Sequence, residues 1–281
     1  MSEYSDVVEV ARSYYNSEDA DNFYFNVWGG EDIHIGLYQD DEEPIRDASR
    51  RTVAVMADRL ETAGPDSEVI DLGGAYGGSP RHVAGKYGCH VVSLNLSEVQ
   101  NRRARQQNEE YGMADKVTVV DGDFENVPYD DNTFDIVWSQ DSFLHSGNRQ
   151  AVMDEIQRVL KPGGELIFTD PMQEDNIAQD AEKLQPVLKR LSLDTMGSPG
   201  FYQDELAQRG FEQIEFDDRS EQLPRHYGRV REELLSRYDE LTGTQIGKDY
   251  VDSMLEGLAA WVEAGKAGLL RWGIFHAYLK K

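Results

Sequence analysis

The chain has 281 residues, enough for one large domain with a full hydrophobic core, or one domain carrying an elaborate lid. Its 28 basic residues against 53 acidic ones give a net charge of −25 and a pI near 4.5. That balance repels phosphate backbones and anionic lipid heads, which argues against a nucleic-acid binder or a peripheral membrane protein. A hydrophobic fraction of 39% with 10% aromatics marks a chain that folds, unlike aromatic-poor acidic disorder.

Cys89 is the single cysteine, so an intramolecular disulfide framework and a thiolate metal cluster are both excluded. Cys89 is expected at or just before a buried strand and not as a nucleophile. The start, Met1-Ser-Glu-Tyr-Ser-Asp, has neither a basic n-region nor an apolar h-region. No stretch approaches the roughly 18 apolar residues of a membrane span. A soluble, cytoplasmic protein is expected, as a monomer or small homo-oligomer. With 9 lysines, 19 arginines and many carboxylates, the composition suits concentrated salt, where screening removes self-repulsion.

In chain order, Val53, Met56, Ala57 and Leu60 fall on one face of a helix between Pro44 and Leu60, and Gly64-Pro65 breaks the chain after it. Glu68–Leu72 reads as a buried strand ending in a glycine cluster. Residues 79–87 read as a helix with Pro80 in its first turn, and His90–Leu94 as a second strand. Ser97-Glu-Val-Gln100 is a capping box that opens a helix ending near Gly112. Lys116–Val120, Thr133–Ser139 and Glu165–Thr169 read as further strands, with a helix over Asn148–Leu160 stopped by Lys161-Pro-Gly-Gly164. Strands spaced by helices predict an α/β fold with a doubly wound, mostly parallel, Rossmann-like sheet. After residue 170 helices are expected at about 175–192, 202–209, 225–241 and 247–265, a strand at about 211–217, and a last strand in the apolar run Leu269–Leu279. Seven strands in all are expected. The division is therefore residues 1–62 as an N-terminal helical lid with an aromatic segment, 63–171 as the core, 172–265 as a second lid containing one core strand, and 266–281 as the C-terminal strand. Both lids are expected over the carboxyl ends of the strands, where open α/β sheets bind ligands.

The sharpest motif is Val69-Ile-Asp-Leu-Gly-Gly-Ala-Tyr-Gly-Gly78. A carboxylate at a strand end followed by close glycines lets backbone approach a ligand. Gly73-x-Ala75-x-x-Gly78 fits the dinucleotide pattern loosely. Asp71-x-Gly73-x-Ala75-x-Gly77 fits the S-adenosyl-L-methionine (SAM) pattern, with Ala75 where glycine is usual. The glycine spacing alone leaves both open. Asp71 would repel a pyrophosphate but pair with a methionine amino group. Asp121-Gly-Asp-Phe124, after the third strand, can accept from an adenine amine and cover the ring. Phe134–His145 and Arg158–Ile167 complete an ordered set that closely resembles the class I SAM-dependent methyltransferases over about residues 67–170.

By that resemblance Asp71, Gly73 and Gly77 would line the methionine end of SAM, with Gly74 and Ala75 in the same turn. Asn95, with Leu96 and Gln100, would stand at the ribose, where the family usually has Asp or Glu. Asparagine can accept through its carbonyl and donate through its amide, without charge assistance. Asp123 and Phe124 would hold adenine, and Gln140 would face the cofactor. S-adenosylhomocysteine would be the product.

The N-terminal segment is dense in aromatics: Tyr14, Tyr15, Phe23, Tyr24, Phe25, Trp28 and Tyr38. Asn22–Tyr38, Ser139–His145, Ser198–Tyr202, Pro224–Arg231 and Trp261–Gly273 closely resemble the sarcosine/dimethylglycine N-methyltransferases, which complete glycine betaine synthesis. Residues 139–145 also resemble the phosphoethanolamine methyltransferases. The resemblance implies a small amino-acid-derived amine as substrate, with His145 paired to a lid tyrosine, chosen as Tyr24, to latch the lid and orient or deprotonate the amine. Aromatic faces of Trp28 and Tyr227 would receive the developing cation. Asp141, Met172 and Tyr202 would join the acceptor site. Arg225 would take the carboxylate, with Arg149, Arg229 and Arg231 competing. The six histidines, at 34, 82, 90, 145, 226 and 276, show no ligand spacing, so no metal is implied.

The expected activity is methylation of dimethylglycine, and of sarcosine, to glycine betaine. Rival readings are methylation of glycine, phosphoethanolamine or a small-molecule hydroxyl, a nicotinamide oxidoreductase resting on the loose glycine pattern, and a non-catalytic SAM sensor.

Overall fold

A computed structural model describes residues 4, 6–177, 181–191, 193, 195–244 and 246–281. Among them, no helix is long and apolar enough to cross a membrane.

The alternation predicted from the sequence builds one sheet. Strands β1 (Glu68–Leu72), β2 (His90–Asn95), β3 (Val117–Asp121), β4 (Phe134–Gln140) and β5 (Leu160–Thr169) run parallel, with β3-β2-β1 on one side and β4-β5 on the other. The order reverses between β1 and β4, so the carboxyl ends of these two strands flank the crevice where such sheets bind ligands. β9 (Gly273–Leu279) lies antiparallel between β5 and the edge strand β7 (Phe211–Asp218), which completes seven strands. A two-stranded ribbon joins β6 (Met172–Gln173) to β8 (Leu270–Arg271).

Crossover helices α4 (Gly78–Tyr87), α5 (Glu98–Glu110) and α6 (Arg149–Val159) cover the sheet with α3 (Ile45–Ala57) and α8 (Pro199–Gln208). Their starts follow cap chemistry: Ser97 accepts from Gln100 N, Asn148 from Ala151 N and Ser198 from Phe201 N. Two apolar cores occupy the sheet faces, one around Val137, Phe168 and Phe275, the other around Met56, Trp138 and Ile274.

A third core lies among the helices outside the sheet layers. It joins the N-terminal helices α1 (Asp6–Tyr15) and α2 (Glu18–Phe23) to α7 (Gln185–Leu191), α9 (Gln222–Ser236), α10 (Tyr238–Thr244) and α11 (Lys248–Lys266). Tyr227 of α9 stacks on Trp261 of α11 at 4.6 Å. A wide π-helical turn, Tyr24–Trp28, follows α2 directly, a form that recurs at functional sites. Residues 29–44 then cross the carboxyl edge of the sheet, held where Ile35 N donates to Asp141 Oδ2 at 2.7 Å.

The helix expected at 225–241 breaks at Arg237, whose guanidinium donates to Asn26 O and ties the junction to the N-terminal lid. Within the helix expected at 175–192, a tight turn spans Ala181–Leu184 and α7 follows it; residues 178–180 and 192 lie outside the described residues. β5 starts five residues before the expected Glu165, because Leu160 pairs with Phe134 across a bulge. The terminal run divides at Trp272, whose backbone N donates to Ser220 Oγ and whose indole donates to Asp141.

Candidate active site

The carboxyl ends of β1, β2 and β4 open on a cavity closed from above by α1, the π-helical turn and α9. Of the expected residues, Gly73, Ala75, Asn95, Leu96, Gln100, Asp123, Phe124, Gln140, Tyr24, Trp28, Asp141, His145 and Tyr227 line it.

One half is built around the glycine turn. Gly73 takes φ +96°, and a Cβ there would fall 2.1 Å from Ser142 Oγ, so only glycine fits between β1 and the β4 turn. Ala75 holds φ +44°, a left-handed position usually left to glycine, which explains why the sequence pattern looked imperfect. Gly74 and Gly77 serve the turn without lining the cavity: a Cβ on Gly74 would strike Ser93 Oγ, and Gly77, at φ +80°, starts α4.

Asp71 does not line the cavity either. It is buried behind the turn, and its Oδ1 has no donor among the described residues. Burial, then the charge of Asp32, holds its pKa well above the usual carboxylate range. Asp32, which the sequence reading missed, meets Arg50 Nε at 2.9 Å through Oδ2. Its Oδ1 has no donor and lies where a Cβ on Gly78 would meet it at 2.1 Å, at the start of α4. Burial pushes its pKa up to about 6 against the pull of Arg50. Two buried carboxyl groups, each with one oxygen that has no donor among the described residues, thus flank the turn.

Farther along, Asn95 Nδ2 donates to Gln100 Oε1 and Asn101 Oδ1, both at 3.1 Å. Among the described residues, Gln100 Nε2 and Gln140 Nε2 have no acceptor. Gln140 Oε1 accepts from Ser79 Oγ at 2.8 Å and Trp138 Nε1 at 3.2 Å. Asp123 accepts from Glu125 N, and burial pushes its pKa up to about 6. Phe124 packs edge-on against Phe143. The unsatisfied acceptors on Asp71 and Asp32 and the unsatisfied amides of Gln100 and Gln140 fit a ligand with an ammonium at one end and hydroxyls and ring nitrogens at the other, as SAM has.

The other half is aromatic. The turn Phe143–His145 after β4 carries His145, and its Leu144 N donates to Asp170 Oδ1 at 2.9 Å. The hydroxyl on His145 Nε2 is that of Tyr15, at 2.8 Å, where Tyr24 had been expected. α1 ends at Tyr15 and so brings its hydroxyl over the cavity, while Tyr24 stands beside it, ring centroids 5.5 Å apart. Trp28 meets Tyr24 at 5.3 Å and Tyr227 at 5.5 Å. Buried His34 lines the same cavity; burial foremost, and then Arg50, pushes its pKa down to about 3, so it stays neutral.

Three expected acceptor residues lie elsewhere. Met172 is buried in β6, opposite Arg271, and its neighbour Pro171 reaches the wall instead. Tyr202 is buried among Phe168, Phe201 and Phe275 and donates to Asp170 Oδ2 at 2.7 Å. Arg225 points away to Tyr38 O and to Asp41 Oδ1, at 2.7 Å. Asp141 lines the cavity, but both its oxygens are engaged: Oδ2 by Ile35 N, Oδ1 by Thr169 Oγ1 and Trp272 Nε1. It pins the strap to the sheet. Among the described residues no group of three or more His, Cys, Asp or Glu could hold a metal ion.

Residues 70–168 match the methyltransferase domain family. The chain is 58% identical to the sarcosine/dimethylglycine N-methyltransferase of Halorhodospira halochloris over 96% of its own length and 95% of that protein. It is 55% identical to the glycine/sarcosine/dimethylglycine N-methyltransferase of Actinopolyspora halophila, over 98% of this chain and 48% of that longer one. A crystal structure assigned as a sarcosine dimethylglycine methyltransferase of Galdieria sulphuraria superposes with a TM-score of 0.88 at 40% identity, covering 95% of this chain and 99% of that one. Such identity along nearly the whole chain establishes that it belongs to the sarcosine/dimethylglycine N-methyltransferase family of SAM-dependent methyltransferases.

Proposed function

We propose that the protein methylates the amine nitrogen of dimethylglycine, and of sarcosine, with glycine betaine as the final product. The observation that carries this reading is the acceptor half of the cavity: aromatic faces with one histidine–tyrosine pair, and no Lys or Arg among the described lining residues. A phosphorylated acceptor would call for clustered cations there. An amine that becomes a quaternary cation calls for aromatic faces.

SAM supplies a methyl group on a sulfonium sulfur. The protein's own work is to hold the amine in line with that carbon at about 3–3.5 Å, to take up its proton and to exclude water. His145 is the proton acceptor in this reading, because both acceptors arrive as ammonium ions and nitrogen attacks only with a free lone pair. Tyr15 orients the imidazole through the 2.8 Å bond and ties α1 down over the cavity. Tyr24, Trp28 and Tyr227 wall the nitrogen as positive charge passes to it. Asp71 and Asp32 anchor the ammonium of SAM, Asn95 its ribose, and Asp123 with Phe124 its adenine.

The test is methyl transfer from labelled SAM to glycine, sarcosine, dimethylglycine and phosphoethanolamine, in low and high salt. Turnover confined to sarcosine and dimethylglycine supports the reading. SAM binding with no turnover on either refutes the acceptor and points to an oxygen acceptor or a sensor.

A further inference from the structure

The proposed acceptor carries a carboxylate, yet the described lining residues include no cation to receive it. Arg225 pairs with Asp41 and Tyr38 O, Arg149 with Thr195 and Leu144 O, and Arg229 with Glu232, and none of the three lines the cavity. Besides the amides of Gln100 and Gln140, assigned above to the cofactor half, two neutral donors at the aromatic end lack acceptors among the described residues. Trp28 lines the aromatic end and is 5% exposed; its Nε1–H is buried and has no acceptor among the described residues. His226 of α9 is fully buried, and its Nε2 likewise has no partner. The two rings are in contact, centroids 5.1 Å apart at 63°.

The tautomer of His226 follows from its other nitrogen. Gly36 N, which can only donate, approaches Nδ1 at 3.1 Å, and Tyr38 Oη lies 2.9 Å from the same atom. Nδ1 is therefore the acceptor, and the neutral ring carries its proton on Nε2. Burial keeps the ring neutral by pushing its pKa down to about 3. Two adjacent buried N–H groups without acceptors are rare in native proteins, where such donors are nearly always satisfied. Leaving them so costs stability unless something arrives to accept.

Resting on the acceptor reading above, we propose that Trp28 Nε1–H and His226 Nε2–H together form the seat for the acceptor's carboxylate, one donor to each oxygen. Trp28 then has two functions, its face toward the amine and its edge toward the carboxylate. That division suits a ligand whose nitrogen and carboxyl carbon are separated by a single methylene. An uncharged seat also suits a zwitterion: it selects for a carboxylate without adding a cation beside a nitrogen that must itself become cationic.

The test is a steady-state comparison of dimethylglycine with N,N-dimethylaminoethanol, which keeps the amine and replaces the carboxylate by a hydroxyl. It is run on the wild type, Trp28→Phe and His226→Asn. Phenylalanine keeps a ring without the N–H; asparagine offers an acceptor near the Nδ1 position and deletes the Nε2–H. Each substitution is expected to lower kcat/KM for dimethylglycine roughly 10- to 100-fold, the worth of a hydrogen bond to a charged group, mainly through KM. The lower value for dimethylaminoethanol should fall only a few-fold, through the changed ring beside the amine, so that the ratio of the two acceptors drops, and S-adenosylhomocysteine affinity by calorimetry should stay nearly unchanged. Equal losses on both acceptors, or none, overturn the seat. A wild type that transfers no methyl to dimethylglycine overturns the acceptor reading itself, and the seat with it. Indole ¹⁵N–¹H spectra of the wild type need no variant. With S-adenosylhomocysteine bound, one of the four tryptophan resonances should move downfield on adding dimethylglycine and not on adding dimethylaminoethanol. Four unmoved resonances overturn the proposal.

Discussion

Asp170, just past β5, offers a quantitative test of how the acceptor turn is held. Its carboxyl is fully buried; Oδ1 accepts from Leu144 N at 2.9 Å and Oδ2 from Tyr202 Oη at 2.7 Å. Burial pushes its pKa up to about 7, outweighing the two hydrogen bonds and the charge of Arg149. An acid whose pKa is raised on folding keeps its proton where the unfolded chain has already lost it, so stability falls as pH rises from about 4 to about 7 and is flat above. A rise from 3.8 to about 7, at about 1.36 kcal/mol per pH unit, comes to on the order of 4 kcal/mol. Asp170→Asn removes that titration, while Oδ1 can still accept from Leu144 N and Nδ2 can turn to the Tyr202 oxygen. The variant should therefore melt several degrees above the wild type at pH 8, and the difference should close or reverse near pH 5. Melting followed by circular dichroism across that range is the assay. The other buried acids with raised pKa values, Asp32, Asp71, Asp123 and Asp141, titrate in both proteins and cancel in the difference. Two curves parallel at every pH would refute the reasoning.

His145→Ala is expected to lower kcat by about 10²–10⁴-fold, the usual worth of a general base, with SAM affinity by calorimetry changed only a few-fold; an equal loss of SAM binding would move His145 into the cofactor half. Tyr15→Phe should give a smaller fall in kcat, because it removes only the orienting bond, and a fall no greater than that of Tyr24→Phe would refute the pairing. Asp71→Asn should weaken SAM roughly 10- to 100-fold, as expected for losing a charge-assisted contact. Because Asp71 holds its proton more tightly than an ordinary carboxyl, SAM binding to the wild type should release protons, visible as buffer-dependent binding heats; the same heats in Asp71→Asn would refute its role.

The glycine turn was legible because its constraints are local. A Gly73 that only glycine can fill, an Asp71 two residues earlier and an Asp123–Phe124 pair at a strand end are each set within one β–α turn, and sequence spacing reports them directly. The acceptor half depends on which distant elements meet. Tyr15 and Tyr24 are equally aromatic in the sequence; only the direction of α1 puts the Tyr15 hydroxyl on His145, 130 residues away. Arg225 and His226 are adjacent in the chain, but successive helical positions face about 100° apart. One turns to Asp41, the other toward Trp28. Met172 and Tyr202 went astray for the opposite reason, since apolar side chains near a site pattern just as core side chains do, and both are core. Asp32 left no local signal: its role arises because residues 29–44 cross back over the start of α4. The break of the predicted 225–241 helix at Arg237 is likewise a tertiary contact with Asn26 overriding helical periodicity.

The net charge of −25 acts on the two ligands differently. SAM carries an ammonium, a sulfonium and a carboxylate, a net charge of +1, so the protein's field attracts it. Dimethylglycine is a zwitterion with no net charge, and its proposed seat is neutral. S-adenosylhomocysteine lacks the sulfonium charge and is neutral overall, yet it shares every other contact with SAM. Raising salt from 0.1 M to 1 M shortens the screening length from about 10 Å to about 3 Å, which removes the long-range attraction and leaves the close contacts. The Kd of SAM should then rise several-fold, while that of S-adenosylhomocysteine and the KM of dimethylglycine change little. Calorimetric titration of the two cofactor forms across that range isolates a single charge. An equal salt response of both forms would mean that the acidic surface does not act on the cofactor at a distance, and that its carboxylates serve the solubility of the chain alone.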